Sequence, residues 1–127
     1  MDLKEYFANA IGFGVLATAD ADGQVNLAVY ARPHVLEDGT LAMIMRDRLS
    51  HHNLQSNPHA AYLFREEGAG YRGKRLHLTK LAEEKDTARI DELKRRHPSL
   101  IKDAARGPLF LVTFQVDRVL PLIGPGN

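Results

Sequence analysis

At 127 residues the chain is the size of one domain, expected to span residues 1–127, and it can bury about two thirds of the surface its unfolded form exposes. Its 17 basic and 16 acidic residues leave a formal charge of +1, which excludes a mainly electrostatic binder of nucleic acid or of a membrane surface. The lack of cysteine excludes disulfides, thiolate metal sites and thiol nucleophiles, and it suits a reducing cytoplasm.

Residues 2–10 form the first predicted element, a helix with Leu3, Phe7 and Ala10 at helical spacing and Asp2 placed to cap it. The opening Met1-Asp2-Leu3-Lys4-Glu5 lacks the charged and then apolar pattern of a signal peptide. No later run reaches the roughly 20 apolar residues that span a bilayer, so a soluble, cytoplasmic chain is expected. Gly12 and Gly14 end the helix, and Phe13 to Ala19 reads as a strand closed by an Asp20-Ala21-Asp22-Gly23 turn, where glycine supplies a positive φ at no steric cost. Gln24 to Leu36 reads as one long strand bent at Pro33, which cannot donate to a central ladder. Glu37-Asp38-Gly39 is the next turn and Thr40 to Arg46 the third strand, so two strand pairs joined by Asp-Gly turns indicate an antiparallel meander.

A short helix is expected over 48–56, ending before Pro58 because the residue ahead of a proline disfavours α geometry. Ala60 to Arg65 is the fourth strand, and residues 66–73, with three glycines, form a loop. Arg75 to Leu81 alternates, with Leu76 and Leu78 on one face and Arg75, His77 and Thr79 on the other, the pattern of a strand with one wet face. Residues 83–97 match a helix: Glu83, Glu84 and Asp86 lie in the first turn, Lys94, Arg95, Arg96 and His97 in the last, and Pro98 stops it. Ile90, Leu93 and His97 share a face. Leu109 to Val116 is the last strand, with Phe110, Val112, Phe114 and Val116 on one side. Phe13, Phe64, Phe110 and Phe114 read as core. The sum is a mainly β (α+β) chain: a six-stranded antiparallel barrel, closed or half-closed, with peripheral helices.

The stretch "MRDRLSHHNLQSNPHAAYLF" carries the most chemistry. A helix that starts where a strand ends presents unpaired N–H groups and a partial positive charge, which favours an anion. Arg46 and Arg48 add forked donors and Ser50 a hydroxyl, together a candidate phosphate pocket. The other reading has Asp47 cap the helix and leaves the arginines in water. The six histidines, His34, His51, His52, His59, His77 and His97, are scattered with no i, i+4 pair, so no metal site is expected. No strained nucleophile turn accompanies a serine, and no catalytic residue is assigned. Tyr71-Arg72-Gly73-Lys74-Arg75 reads as a solvated loop rather than a nucleic-acid platform.

The order of "GVLATADADGQVNLAVYA", "EDGTLAMIM" and "RDRLSHHNLQSNPHAAYLF" resembles the flavin-binding split-barrel family that contains pyridoxamine 5′-phosphate oxidase. Gly14 to Thr18, Asp22-Gly23 and Asn53-Leu54-Gln55-Ser56-Asn57-Pro58 carry the likeness, which spans nearly the whole chain. The resemblance implies a split β-barrel with FMN as cofactor, its phosphate against the start of the short helix. It places Arg48 where relatives carry a serine and Ser50 where they carry a lysine. It also implies backbone contacts to the flavin ring from Ala28, Val29 and Tyr30 and from Met43, Ile44 and Met45. Arg46 would stand near the phosphate, Asn53 would orient the helix start, and Lys74 and Arg75 would lie near the residues that a second subunit contributes. The family is generally a homodimer with the flavin at the subunit interface, so the implied activity is that of a flavin oxidoreductase or electron carrier with a small-molecule or protein redox partner. The oxidase binds its own substrate through a C-terminal segment with arginine and histidine. "VDRVLPLIGPGN" has no counterpart, which sets pyridoxamine phosphate oxidation aside. Two rivals keep the barrel: haem or a deazaflavin as ligand, with His34 or His77 as an axial candidate for haem, or a dimerising module with no ligand.

Overall fold

The computed structural model describes residues 2–94 and 107–125. In chain order the elements are α1 (Leu3–Asn9), β1 (Gly12–Ala19), β2 (Val25–Val29), β3 (His34–Val35), β4 (Leu41–Arg46), α2 (Leu49–Ser56), β5 (His59–Glu66), β6 (Gly73–Lys85), α3 (Ala88–Lys94) and β7 (Leu109–Pro121).

Local chemistry explains the first elements. Asp2 caps α1 by accepting the Glu5 N–H at 3.2 Å. Arg32 closes its other end, donating through Nη1 to the carbonyls of Phe7 at 3.0 Å and Ala10 at 2.6 Å. In the first turn Asp20 Oδ1 accepts from the N–H groups of Asp22 and Gln24 at 2.9 Å each, and Gly23 takes a φ of 83°. The Asp38-Gly39 turn repeats the device, with Asp38 Oδ1 accepting from Thr40 N–H at 3.0 Å.

Among the described residues all the strands join one antiparallel sheet of seven, in the order β2-β1-β5-β6-β7-β4-β3. The seventh comes from residues 24–36, which form two strands rather than one. The break falls at 30–33, where the Tyr62 hydroxyl lies 3.1 Å from the carbonyls of both Tyr30 and Ala31 and holds the chain out of the ladder. The main core lies inside the curved sheet: Leu16, Leu41, Met43, Met45, Tyr62, Phe64, Leu76, Leu78, Phe110, Val112 and Phe114, closed on one side by Phe7 of α1 and Leu54 of α2. A second cluster on the far face of β4 and β7 joins Ala42, Leu109 and Leu111 to Ile90 and Leu93 of α3. Phe13 is not core. The alternation of β1 turns it outward with Val15 and Ala17, and it is exposed.

The helix expected over 83–97 is corrected at its start. Residues 83–85 continue β6, pairing through Lys85 with Phe110 of β7, and α3 begins only at Ala88 after Asp86 takes a φ of 49°. Of the acidic residues that resemble a helix N-terminus, Glu83 and Glu84 are strand residues with partners, and Asp86 lies in the bend after β6, where its Oδ1 accepts from Leu109 N–H at 2.9 Å. Glu84 accepts from Thr87 Oγ1 at 2.9 Å and Arg89 Nη1 at 2.6 Å, and long-range pairing outweighs the local dipole pattern. Residues 95–98, the expected end of that helix, lie outside the described residues.

Candidate functional site

α2 lies across the gap between the two ends of the sheet, packed on β1 and β2 from one end and on β4 near the other. Arg48, in extended backbone at φ −129° and ψ −169°, occupies the N-cap position, and its side chain makes no capping hydrogen bond. Asp47 therefore does not cap it; its carboxylate faces His51 instead. Helix geometry leaves the first-turn N–H groups without intrahelical partners, so this end is electropositive.

The residues singled out in the sequence gather around that end to different degrees. Arg48 is exposed. Ser50, only 3 % exposed, is hydrogen-bonded to the Tyr30 hydroxyl, which joins α2 to the segment after β2. Burial raises the Tyr30 phenol, and the Ser50 bond and the Arg48 charge work against that rise. Asn53 is buried and donates from Nδ2 to Thr18 Oγ1 at 3.1 Å, tying α2 to β1. Arg46, half-buried, ends β4.

Ala28 and Val29 stand on β2, which pairs only with β1 among the described residues. Met43 and Met45 point into the main core and Ile44 toward the second cluster. The β3–β4 ladder stops at Ala42, so the outer backbone edge of Met43, Ile44 and Met45 lies beyond it. Two backbone edges thus flank the gap that α2 closes. Lys74 and Arg75 are placed elsewhere. The Lys74 Nζ lies 4.5 Å from the centre of the Tyr6 ring. Arg75 donates from Nε to the Pro121 carbonyl at 2.8 Å and from Nη2 to the Gly124 carbonyl at 2.7 Å.

Sequence reasoning missed the cluster behind α2. His51 lies between Asp47 and Glu83, and Glu83 also accepts from Lys80 Nζ at 2.6 Å and Gln55 Nε2 at 2.9 Å. Burial works to raise the Glu83 carboxyl, yet the bonds from Lys80, Gln55 and His51 together hold it down at about 2. Among the described residues no three His, Asp or Glu side chains converge to hold a metal. His34 lies half-buried on β3 beside a cleft of about 270 Å³ lined also by Lys4, Phe7 and Arg32, and His77 is exposed on β6 opposite Arg118. No helix of the described residues is long and apolar enough to cross a membrane.

The outer face of the sheet is apolar at the β2 end. Val25, Leu27 and Val29 are 81 %, 70 % and 69 % exposed, and Val15 between Val29 and Leu63 continues the patch across β1 to β5.

No family model matches the sequence, and no curated protein does. Solved structures do match. The crystal structure of an FMN-binding protein from Syntrophomonas wolfei subsp. wolfei aligns with a TM-score of 0.76 at 18 % identity, over 96 % of this chain and 84 % of that one. HutZ, the haem storage protein of Vibrio cholerae, gives 0.67 at 18 % identity over 96 % and 89 % of the two chains. An F420 reductase gives 0.68 at 16 % identity over 94 % and 97 %. The chain is therefore a split β-barrel. More particularly, it has the fold of the pyridoxamine 5′-phosphate oxidase-like proteins.

Proposed function

We propose that this chain is a cytoplasmic, homodimeric FMN-binding protein that serves electron or hydride transfer. The observation that carries the reading is the uncapped start of α2, with Arg48 exposed beside it, at the gap between β2 and β4. A helix start with a guanidinium suits a phosphate, and the two strand edges offer backbone donors and acceptors to a flavin ring. The FMN-binding protein among the fold neighbours supports the choice of ligand.

In this reading Arg46, Arg48 and the first turn at Ser50 hold the phosphate. The backbone of Ala28, Val29 and Tyr30 and of Met43, Ile44 and Met45 holds the ring, and Asn53 keeps α2 seated on β1. Bound FMN supplies the redox chemistry; the protein supplies binding, orientation and exclusion of water. The apolar outer face of β2, β1 and β5 is the surface on which a second copy pairs, since patches of this kind on a sheet mark interfaces. On this reading Lys74 and Arg75 lie near the residues that the second copy contributes to the flavin site. The redox partner is a small molecule or another protein.

The test is the visible spectrum of the purified protein, followed by titration with FMN and with riboflavin, which lacks the phosphate. A flavin spectrum retained at about one per chain, with FMN bound more tightly than riboflavin, supports the reading. A haem band in place of flavin overturns it in favour of the ligand class that HutZ stores. A colourless protein that refuses both flavins leaves a dimerising barrel.

A further inference from the structure

His51 lies in the first turn of α2 with its side chain 8 % exposed, stacked on Phe110 at 3.8 Å between ring centres and 17° between planes. Its Nδ1 is 3.3 Å from Asp47 Oδ1 and its Nε2 3.0 Å from Glu83 Oε2. Gln55 Nε2 lies 3.1 Å from the same ring nitrogen and has two acceptors of its own, the His51 carbonyl and Glu83 Oε1, at 2.9 Å each. Each ring nitrogen thus faces a carboxylate, a group that only accepts.

The two carboxylates differ in their surroundings. Glu83 is fixed by Lys80 and Gln55 on the inner side. Asp47 is 64 % exposed, stands between Arg46 and Arg48 in the chain, and has His51 as its side-chain contact. A carboxylate released at this point would oppose an anion at the helix start and compete with it for the arginines.

We infer that His51 is a positioning residue for the anion seat: anchored by Glu83 and Phe110, it draws the Asp47 carboxylate onto the flank of α2 and leaves the helix start to a phosphate. The inference rests on the FMN reading above. It assigns the loop 46–48 a second task besides supplying arginines, namely keeping its own negative charge aside.

The experiment titrates FMN and riboflavin into the wild type, His51→Phe, Asp47→Asn and the double variant. His51→Phe keeps a ring on Phe110 and removes both nitrogens. FMN affinity is expected to fall about tenfold in His51→Phe while riboflavin affinity holds within about twofold, because one like charge returns to a site near the surface. Asp47→Asn alone leaves FMN binding close to wild type, and added to His51→Phe it restores most of the loss. Equal loss of both flavins, no loss of either, or no rescue by Asp47→Asn overturns the inference. His51→Leu, which likewise offers no donor to Asp47, carries the same expectations should His51→Phe not fold. A wild type that binds neither flavin, or both equally, overturns the parent reading and this inference with it, and that result is seen before any variant is made.

Discussion

Gly14 sits so close beneath Tyr62 that a Cβ added to it would lie 1.9 Å from the Tyr62 hydroxyl and 2.5 Å from the Tyr30 carbonyl. The contact joins β1, β5 and the segment that carries Tyr30 toward α2, so the fold and the candidate site share this point.

Gly14→Ala is therefore expected to cost about 2–3 kcal/mol, since backbone and a buried ring must both move. Tyr62→Phe keeps the packing and loses only the hydroxyl contacts to Tyr30 and Ala31, for about 1 kcal/mol. Urea denaturation of the two variants measures both, and a Gly14→Ala protein as stable as wild type contradicts the geometry.

Arg48→Ala is expected to weaken FMN binding about tenfold, roughly 1.4 kcal/mol, and to leave riboflavin binding near wild type, because the lost donor serves the phosphate. Flavin fluorescence titration reads both. Ser50→Ala should behave differently. Its hydroxyl is bonded to Tyr30, so the change is expected to loosen both flavins together through the segment after β2.

Acid should unfold the protein partly through Glu83. Its carboxyl is lowered from the ordinary 4.5 to about 2 by Lys80, Gln55 and His51 against the opposing effect of burial. A group depressed in the folded state stabilises it above the unfolded value and loses that contribution as pH falls through the folded one. The melting temperature is thus expected to drop between about pH 5 and pH 2. Glu83→Gln should flatten that part of the profile, and an unchanged slope would remove Glu83 from the account.

Leu27→Arg, on the exposed face of β2, is expected to convert the proposed dimer to monomer in sedimentation velocity and to weaken FMN binding in step. A wild type that sediments as a monomer, or a variant that remains dimeric, places the interface elsewhere.

Much of this architecture is legible in short stretches of sequence. Asp2 as a cap, the two Asp-Gly turns, the alternation of Leu76 and Leu78 with Arg75, His77 and Thr79, and the inward row Phe110, Val112 and Phe114 are all local signals, and the structure places them as read. Failures occur where distant residues decide. Glu83 and Glu84 satisfy a helix-start pattern, yet β7 pairs with them from 29 and 27 positions away, at Val112 and Leu111. Tyr62 sets the break after Tyr30 from 32 positions on. The start of α2 shows a chemistry of arginine, serine and helix that sequence reveals, but the placing of Asp47 depends on His51, and His51 depends on Glu83, 32 positions later. No spacing rule connects residues that meet only after a barrel folds.

The position of β7 has a consequence for synthesis. It pairs with β6 on one side and β4 on the other and furnishes side chains to both hydrophobic clusters. A growing chain that has emerged only as far as α3 therefore has both neighbours of the missing strand exposed as open edges, and neither cluster is complete. Such edges invite pairing with other chains. β7 must be delivered before this barrel can close, so the strands made ahead of it are expected to wait for it.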